Sequence, residues 1–214
     1  MKRNQAGFTL VEIAIVLVII GLLLGGILKG QEMITQAKIK NVIADFSGVS
    51  AAYHGYQDRY RAIPGDDPGA AKRWTTPAAA TAGDGNGQLN GTYNQTCGTS
   101  ATEEVCHFWD HLRRAGFVSG TGLQQPFNAV TGLIGVQTGG LGFSGLVICS
   151  ANLPDKIAIA VDTQMDDGTP SAGTVRGITQ SGTNPNIATN SAASDAASAF
   201  VESGTNSYTL CRSL

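Results

Sequence analysis

The chain has 214 residues and a formal net charge of −2 at neutral pH, and only 14% of its residues are charged. This length fits one domain, or one domain with an added segment. Residues 115–214 contain only three basic residues, Lys156, Arg176 and Arg212. Nucleic-acid binding depends on clustered lysine and arginine side chains, so the composition excludes that class of function in this half.

The first predicted element is a membrane-spanning helix over residues 8–28. This run contains no proline and a single ionisable side chain, Glu12. It is long enough to cross the hydrocarbon core of a bilayer, which is about 30 Å thick. Lys2 and Arg3 precede the run. Positive charge stays on the cytoplasmic side of a membrane helix, so the remainder of the chain is predicted to lie outside the cytoplasm.

A processing motif, GFTLVE, lies at residues 7–12. An ordinary secretory signal is cleaved after its apolar segment. The bond between Gly7 and Phe8 precedes that segment, so cleavage there would leave the helix on the mature protein. With Glu12 as the fifth residue after the cut, the motif resembles the prepilin signature of type IV pilins and type II secretion pseudopilins. The resemblance is specific over residues 2–28 and weak beyond residue 60, so it implies a filament protein without indicating which filament.

The resemblance also implies a processing pathway and a fold. Residues 1–7 would be a leader peptide that prepilin peptidase removes on the cytoplasmic side, and the new N-terminus at Phe8 would be methylated. The implied fold class is α+β and pilin-like. In it, a long N-terminal helix, with a membrane half and an amphipathic half, packs on a small antiparallel sheet with long loops.

Glu12 has a predicted role in assembly. A carboxylate inside a membrane helix is costly and marks a functional site by default. Its natural partner is the amine created at Phe8, one helical turn earlier on the same chain or on a neighbouring subunit. The resemblance favours the neighbour, which would set the axial register of a filament. The alternative is an ordinary membrane anchor whose Glu12 reaches back to the cytoplasmic face.

Residues 29–62 predict an amphipathic continuation of the same helix. Apolar side chains recur there at spacings of three and four, which is typical of one helical stripe. The stripe consists of Ile39, Val42, Ile43, Phe46, Val49, Tyr53, Tyr56 and Tyr60. Pro64 ends the helical pattern. Nearer the N-terminus, Gly25, Gly26 and Gly30 weaken the helix, so we expect that segment to be flexible or melted in an assembled filament.

The remaining chain, residues 63–214, predicts a globular head. It begins with a connecting loop at 63–102 and a short helix at 103–116, and a sheet with a C-terminal loop occupies 140–214. Short segments with the composition of strands cover residues 145–150, 156–162, 174–179 and 208–212. Such strands, separated by turn-rich linkers, favour an antiparallel meander.

Four cysteines, Cys97, Cys106, Cys149 and Cys211, all follow the membrane segment. The predicted topology places them in an oxidising compartment, where disulfides persist. Four cysteines allow three pairings. We favour Cys97–Cys106, which closes a short local loop, together with Cys149–Cys211, which ties the end of the chain to a strand.

Calcium is the one cofactor that the sequence favours, and no other cofactor is expected. Asp84 and Asn86 alternate with glycines as at the start of a calcium loop, although the distal glutamate of an EF-hand is missing. Asp162, Asp166 and Asp167 form an equally suitable oxygen-rich set. The alternative is that both stretches are ordinary turns, because aspartate, asparagine and glycine are turn-forming residues.

Other chemistry has less support. A zinc site from Cys97, Cys106, His107 and His111 would place two histidines on one helical face, but a disulfide explains the cysteines better. The sequence contains no nucleophile elbow, phosphate loop or metal-hydrolase helix, so an enzyme on a membrane stalk is not favoured.

A loose basic cluster could contact phosphates if its members converge. Its members are Arg59, Arg61, Lys72, Arg73, Arg113 and Arg114.

The predicted function is that of a major or minor pilin in a type IV pilus or a related filament. The alternatives are a pseudopilin of a type II secretion system and a tip adhesin or DNA-uptake minor pilin. The implied partners are further copies of the chain, prepilin peptidase, and an inner-membrane assembly platform with its ATPase; nucleic acid is not expected. The precursor is predicted to cross the inner membrane once, with its head in the periplasm, before it joins a cell-surface filament.

Overall fold

The computed structural model describes residues 9–214. Its α-helices are α1 (Leu10–Tyr60), α2 (Ala70–Arg73), α3 (Glu104–Arg114) and α4 (Asp155–Met165), and a short 3-10 helix covers Ala193–Asp195. Its strands are β1 (Ile134–Gly140), β2 (Phe143–Pro154), β3 (Val175–Thr179) and β4 (Ser207–Ser213). The chain forms two compact units, an N-terminal unit (Met1–Ala37) and a head unit (Lys38–Leu214).

The described part of the N-terminal unit is helical from Leu10 onwards. Its large apolar side chains are exposed, from 46% for Ile13 to 91% for Leu10. The mean hydropathy reaches 2.8, so the length and composition of α1 suit a membrane span. The predicted apolar helix is therefore present over the described residues, whereas Phe8, its predicted first residue, lies outside them.

In the head unit, α1 buries the predicted stripe. Its buried residues are Ile39, Val42, Phe46, Val49, Ala52, Tyr53 and Tyr56. They share one core with Phe108 and Trp109 of α3 and with apolar side chains of the sheet. The helix ends at Tyr60, and Arg61 has a positive φ of 57°. The predicted stripe and the predicted end of the helix are both confirmed.

The four strands form one antiparallel sheet in the order β1-β2-β4-β3. On one side, β2 pairs with β1, where Gly135 faces Cys149. On its other side β2 pairs with β4, where Cys149 faces Cys211. Strands β2, β3 and β4 match predicted strands. The predicted meander is wrong in its order, because β4 enters the sheet between β2 and β3.

Strand β1 was not predicted, and the sheet begins at Ile134 rather than at residue 140. Its sequence, IGVQTGG, contains three glycines, and glycine is depleted in strands. Tertiary contacts compensate for this weak propensity. Gln137 is fully buried; its Oε1 accepts the Tyr93 N–H, and its side-chain amide donates to the Ile187 carbonyl.

The predicted strand at residues 156–162 is wrong, because this segment lies in helix α4. Over so few residues, the alternation of large apolar residues with alanine fits a strand or a helix. Burial follows the helical period. The buried residues are Asp155, Ile157, Ala158, Val161 and Asp162. Asp155 also lies in the first turn, where a carboxylate stabilises a helix, and its Oδ2 accepts the N–H groups of Ser203 and Gly204.

Candidate assembly and cation-binding sites

Glu12 lies in the first turn of α1, and Thr9 binds its carboxylate. The Thr9 backbone N–H and the Thr9 hydroxyl both donate to Glu12 Oε2, at 2.8 and 2.7 Å. In return, the Glu12 N–H donates to Thr9 Oγ1 at 3.3 Å. This reciprocal arrangement is a capping box, which satisfies backbone donors at a helix N-terminus. The T-x-x-E pattern at residues 9–12 is the sequence signal of this capping box. The predicted role of Glu12 in assembly did not include it.

The predicted partner of Glu12, the amine of Phe8, lies outside the described residues, as does the bond between Gly7 and Phe8. Their roles in processing and assembly stay predictions. Within the described residues, Thr9 already holds the Glu12 carboxylate at the N-terminal end of α1. A positively charged amine approaching that end would therefore meet an oriented carboxylate rather than a freely rotating one.

Both disulfides are present in the pairing that the sequence favoured. Cys97–Cys106 links residues nine apart and joins the connecting loop to α3. Cys149–Cys211 links residues 62 apart and joins facing positions of β2 and β4. All four residues are buried. Because a cross-link restricts the unfolded chain, and a longer loop restricts it more, the second bond is expected to stabilise the head more than the first.

The zinc alternative is wrong, because Cys97 and Cys106 are bonded to each other. His111 has a structural role instead. Its Nδ1 accepts the Gly65 N–H at 2.9 Å, and its Nε2 lies 2.8 Å from the Thr81 carbonyl oxygen. Burial lowers the pKa of His111, which favours the neutral ring that can accept at one nitrogen and donate at the other. This ring holds the connecting loop against α3.

The first calcium candidate, Asp84 with Asn86, lies in a cluster that also contains Asp66 and Glu104. Protein N–H groups donate hydrogen bonds to these carboxylates. Asp66 accepts the backbone N–H groups of Gly85, Asn86 and Gly87, and Glu104 accepts those of Asp84 and Asn90. Asp84 Oδ2 accepts the side-chain amide of Asn86 at 2.8 Å. The geometry favours the turn interpretation here, since these bonds already fold the loop.

The second calcium candidate has a different environment. Asp162 lies in the last turn of α4, and Asp166 and Asp167 follow directly after the helix. One carboxylate oxygen from each lies within 4.8 Å of the others. Asp162 is 0% exposed, and neither of its carboxylate oxygens has a hydrogen-bond partner among the described residues. Burial, reinforced by the two neighbouring carboxylates, raises the pKa of Asp162 to about 7.

Three members of the predicted basic cluster are engaged inside the head unit. Arg73 Nη1 lies 2.6 Å from Asp67 Oδ2, and its guanidinium lies 4.1 Å from the Tyr60 ring centre. Arg114 Nε lies 2.6 Å from Asp110 Oδ2. Arg113 donates to backbone carbonyls. These contacts explain the three arginines without a phosphate ligand, so they weaken the nucleic-acid alternative.

Comparison with known proteins identifies a family motif in one part of the chain. Residues 2–28 match the family model described as the prokaryotic N-terminal methylation motif. No curated protein and no solved structure matches the chain. The matched range contains the GFTLVE motif, Glu12 and the apolar run. The chain thus carries the N-terminal signature of type IV pilins and pseudopilins, on an α+β architecture of a long helix and a four-stranded antiparallel sheet that fits the pilin-like fold.

Proposed function

We propose that this protein is a structural subunit of a type IV pilus or a related filament. One observation carries the proposal: the helix that bears the methylation motif leaves its large apolar side chains exposed along residues 10–34. Burying one such side chain contributes roughly 1.5–3 kcal/mol. This surface therefore requires lipid before assembly and other copies of the helix afterwards. The signature is that of structural proteins, so we propose no enzymatic activity.

Processing prepares the helix for this exchange of lipid for protein. Prepilin peptidase cleaves between Gly7 and Phe8, and the new N-terminus is methylated. The amine of Phe8 on one subunit then meets Glu12 of a neighbour and sets the axial register. The observation that supports this step is the orientation of the Glu12 carboxylate by Thr9. Because a carboxylate is costly in lipid, a charged partner in the filament favours the assembled state.

The precursor lies in the inner membrane with its head in the periplasm, and an assembly platform with an ATPase transfers it into the filament. The two disulfides of the head suit that oxidising location. The long connecting loop at residues 63–102 and these disulfides favour a surface pilin over a pseudopilin of a secretion system, which is the alternative.

The test is the intact mass of the protein, with mapping of its N-terminal peptide, in sheared surface material and in the membrane fraction. We expect a chain that begins at methylated Phe8 in the sheared material. The matched control is a Gly7→Leu variant, in which the small residue before the cut is lost and cleavage should fail.

The outcomes separate the alternatives. The mature chain found only in the membrane would favour a pseudopilin or a rare initiating subunit over a surface pilin. A chain that retains residues 1–7 in every fraction would contradict the proposal and leave a plain membrane-anchored head.

A further inference from the structure

The Asp162 carboxylate lies in an unfavourable electrostatic environment in the head unit. Its side chain is fully buried, and neither carboxylate oxygen accepts a hydrogen bond from any described residue. A buried charge without a partner is strongly unfavourable. The four ion pairs among the described residues involve none of Asp162, Asp166 and Asp167. The protein groups described therefore supply no positive charge to balance these three carboxylates.

The two neighbouring carboxylates are held in place from outside the cluster. Asp166 Oδ2 accepts the N–H groups of Thr174 and Val175, the latter at 2.8 Å. Asp167 Oδ1 accepts the Thr169 N–H at 2.8 Å. These bonds fix the side chains of Asp166 and Asp167 within reach of Asp162, where one oxygen of each lies within 4.8 Å of the others. The loop thus brings three negative groups together instead of separating them.

The cluster around Asp66 shows what a carboxylate cluster looks like when the protein satisfies it alone. Asp66 is also buried, but three backbone N–H groups donate to its two oxygens. Glu104 beside it accepts two more. Asp162 has no such donors among the described residues. Of the two clusters, the one at Asp162 is therefore the one that a bound cation would complete.

We propose that Asp162, Asp166 and Asp167 form a calcium-binding site that fastens the loop between α4 and the edge strand β3. Three carboxylates without histidine or cysteine are hard oxygen ligands, which suit calcium or magnesium rather than zinc or copper. Calcium accepts irregular shells of six to eight oxygens, whereas magnesium requires near-ideal octahedral geometry. A short, irregular loop that supplies carboxylates from adjacent residues fits calcium better.

The consequence is local. Asp166 connects the site to the first residues of β3 through the N–H groups of Thr174 and Val175. A cation that fixes Asp166 would therefore also fix the start of this strand, which lies at the edge of the sheet. The proposal is independent of the filament function, because it concerns only the head unit.

The experiment uses the full chain in detergent micelles, freed of metal with a chelator and then titrated with calcium chloride or magnesium chloride. Isothermal titration calorimetry measures binding, and near-UV circular dichroism measures the Tm of the head. We expect calcium to raise the Tm by roughly 5 °C near saturation, and magnesium to raise it less. Hydrogen exchange at Thr174 and Val175 should slow when calcium is bound.

The variants are Asp162→Asn and Asp167→Asn, with Asp84→Asn as the matched control in the other cluster. Each change at the site should weaken calcium binding at least about tenfold, whereas D84N should bind as the wild type does. In chelator, the Tm of D162N should not fall below that of the wild type, because the variant removes a buried charge. Asp167 is exposed, so D167N tests the site without disturbing the core.

Three results would overturn the proposal. One is a wild-type chain whose Tm and heat of titration do not respond to millimolar calcium. Another is calcium binding that survives in D162N and D167N but is lost in D84N, which would place the site in the other cluster. The third is a stronger response to magnesium than to calcium, which would contradict the assignment of the ion as calcium.

Discussion

Helix α1 contributes to two regions of the molecule in opposite ways. In the N-terminal unit its large apolar side chains are exposed, whereas in the head unit its stripe from Ile39 to Tyr56 is buried in a core. Buried apolar area stabilises a fold only where it is removed from water. The head therefore gains stability from its own core, whereas the apolar surface of the N-terminal unit contributes stability only where lipid or another protein covers it.

The largest expected effect tests the dependence of the N-terminal unit on partners. Glu12→Gln should lower the yield of assembled filaments roughly tenfold or more, because the proposed charged contact with Phe8 of a neighbouring subunit would be lost. The measurement is the amount of protein in the sheared surface fraction. Glu32→Gln is the control, since Glu32 is an exposed residue of the same helix that pairs with Lys29 at 3.4 Å.

Membrane insertion and the Tm of the head should stay unchanged in both variants. Equal filament yields from E12Q and the wild type would remove Glu12 from the assembly mechanism.

The next effect concerns the core of the head. Phe46→Ala should destabilise the head by about 3–5 kcal/mol, because Phe46 is 1% exposed and its loss leaves a cavity. The same truncation at Leu22, which is 74% exposed, should leave the unfolding of the head unchanged. Denaturant unfolding followed by near-UV circular dichroism measures both. Similar losses in the two variants would mean that the two units do not differ as described.

A smaller effect is expected at Asp67, which joins α1 to the connecting loop. Tyr56 Oη donates to Asp67 Oδ2 at 2.6 Å, and Arg73 Nη1 donates to the same oxygen at 2.6 Å. Asp67→Asn should cost about 1–3 kcal/mol, because it weakens these bonds. Asp58→Asn is the control, since Asp58 is exposed and pairs only loosely with Arg61 at 3.6 Å.

The same carboxylate should make the head sensitive to acid. Burial alone would raise the pKa of Asp67, but hydrogen bonds from Tyr56, Arg73 and Gly69 outweigh it and hold the pKa below the ordinary value of 3.8. The folded state therefore binds this proton less readily than the unfolded state does. The stabilisation is complete above pH 3.8 and is lost as the pH falls through the folded-state pKa. The Tm of D67N should fall less than that of the wild type across this window.

The smallest effect concerns the glycines of the N-terminal unit. An added methyl group at Gly25 or Gly26 would meet nothing within 4 Å, so alanine should stabilise the helix by up to about 1 kcal/mol at each position. We expect hydrogen exchange in assembled filaments to be fastest at residues 25–30, and to slow in the Gly25→Ala, Gly26→Ala variant. Uniform slow exchange through this segment of the wild-type filament would contradict a melted segment.

Local patterns predicted several elements of the head. The stripe of α1, the end of that helix near Pro64 and helix α3 each follow from a 3.6-residue period or a helix breaker. The disulfide pairing was also predicted from spacing. Strand β1 could not be predicted, because its glycines have weak strand propensity and its Gln137 gains its partners from distant loops. Helix α4 was misassigned because a short alternating segment fits two periods.

The candidate sites also have features that the sequence predicts and features that it does not. The motif around Glu12 and the carboxylate group of Asp162, Asp166 and Asp167 could be predicted from residues that are close together in the sequence. The choice between the two carboxylate clusters could not, because it depends on which N–H groups reach each oxygen. Gly85 and Gly87 donate to Asp66 from about twenty residues away in sequence, and Asp162 has no equivalent donor in the described part of the chain.

The sequence by itself determined the membrane-type helix, its processing motif and the amphipathic stripe, because hydrophobic periodicity and charge act between residues close in the chain. Only the tertiary structure decided the strand order, the helical state of residues 155–165 and the isolation of Asp162. Those features depend on contacts between distant segments, where burial determines which backbone and side-chain groups find partners.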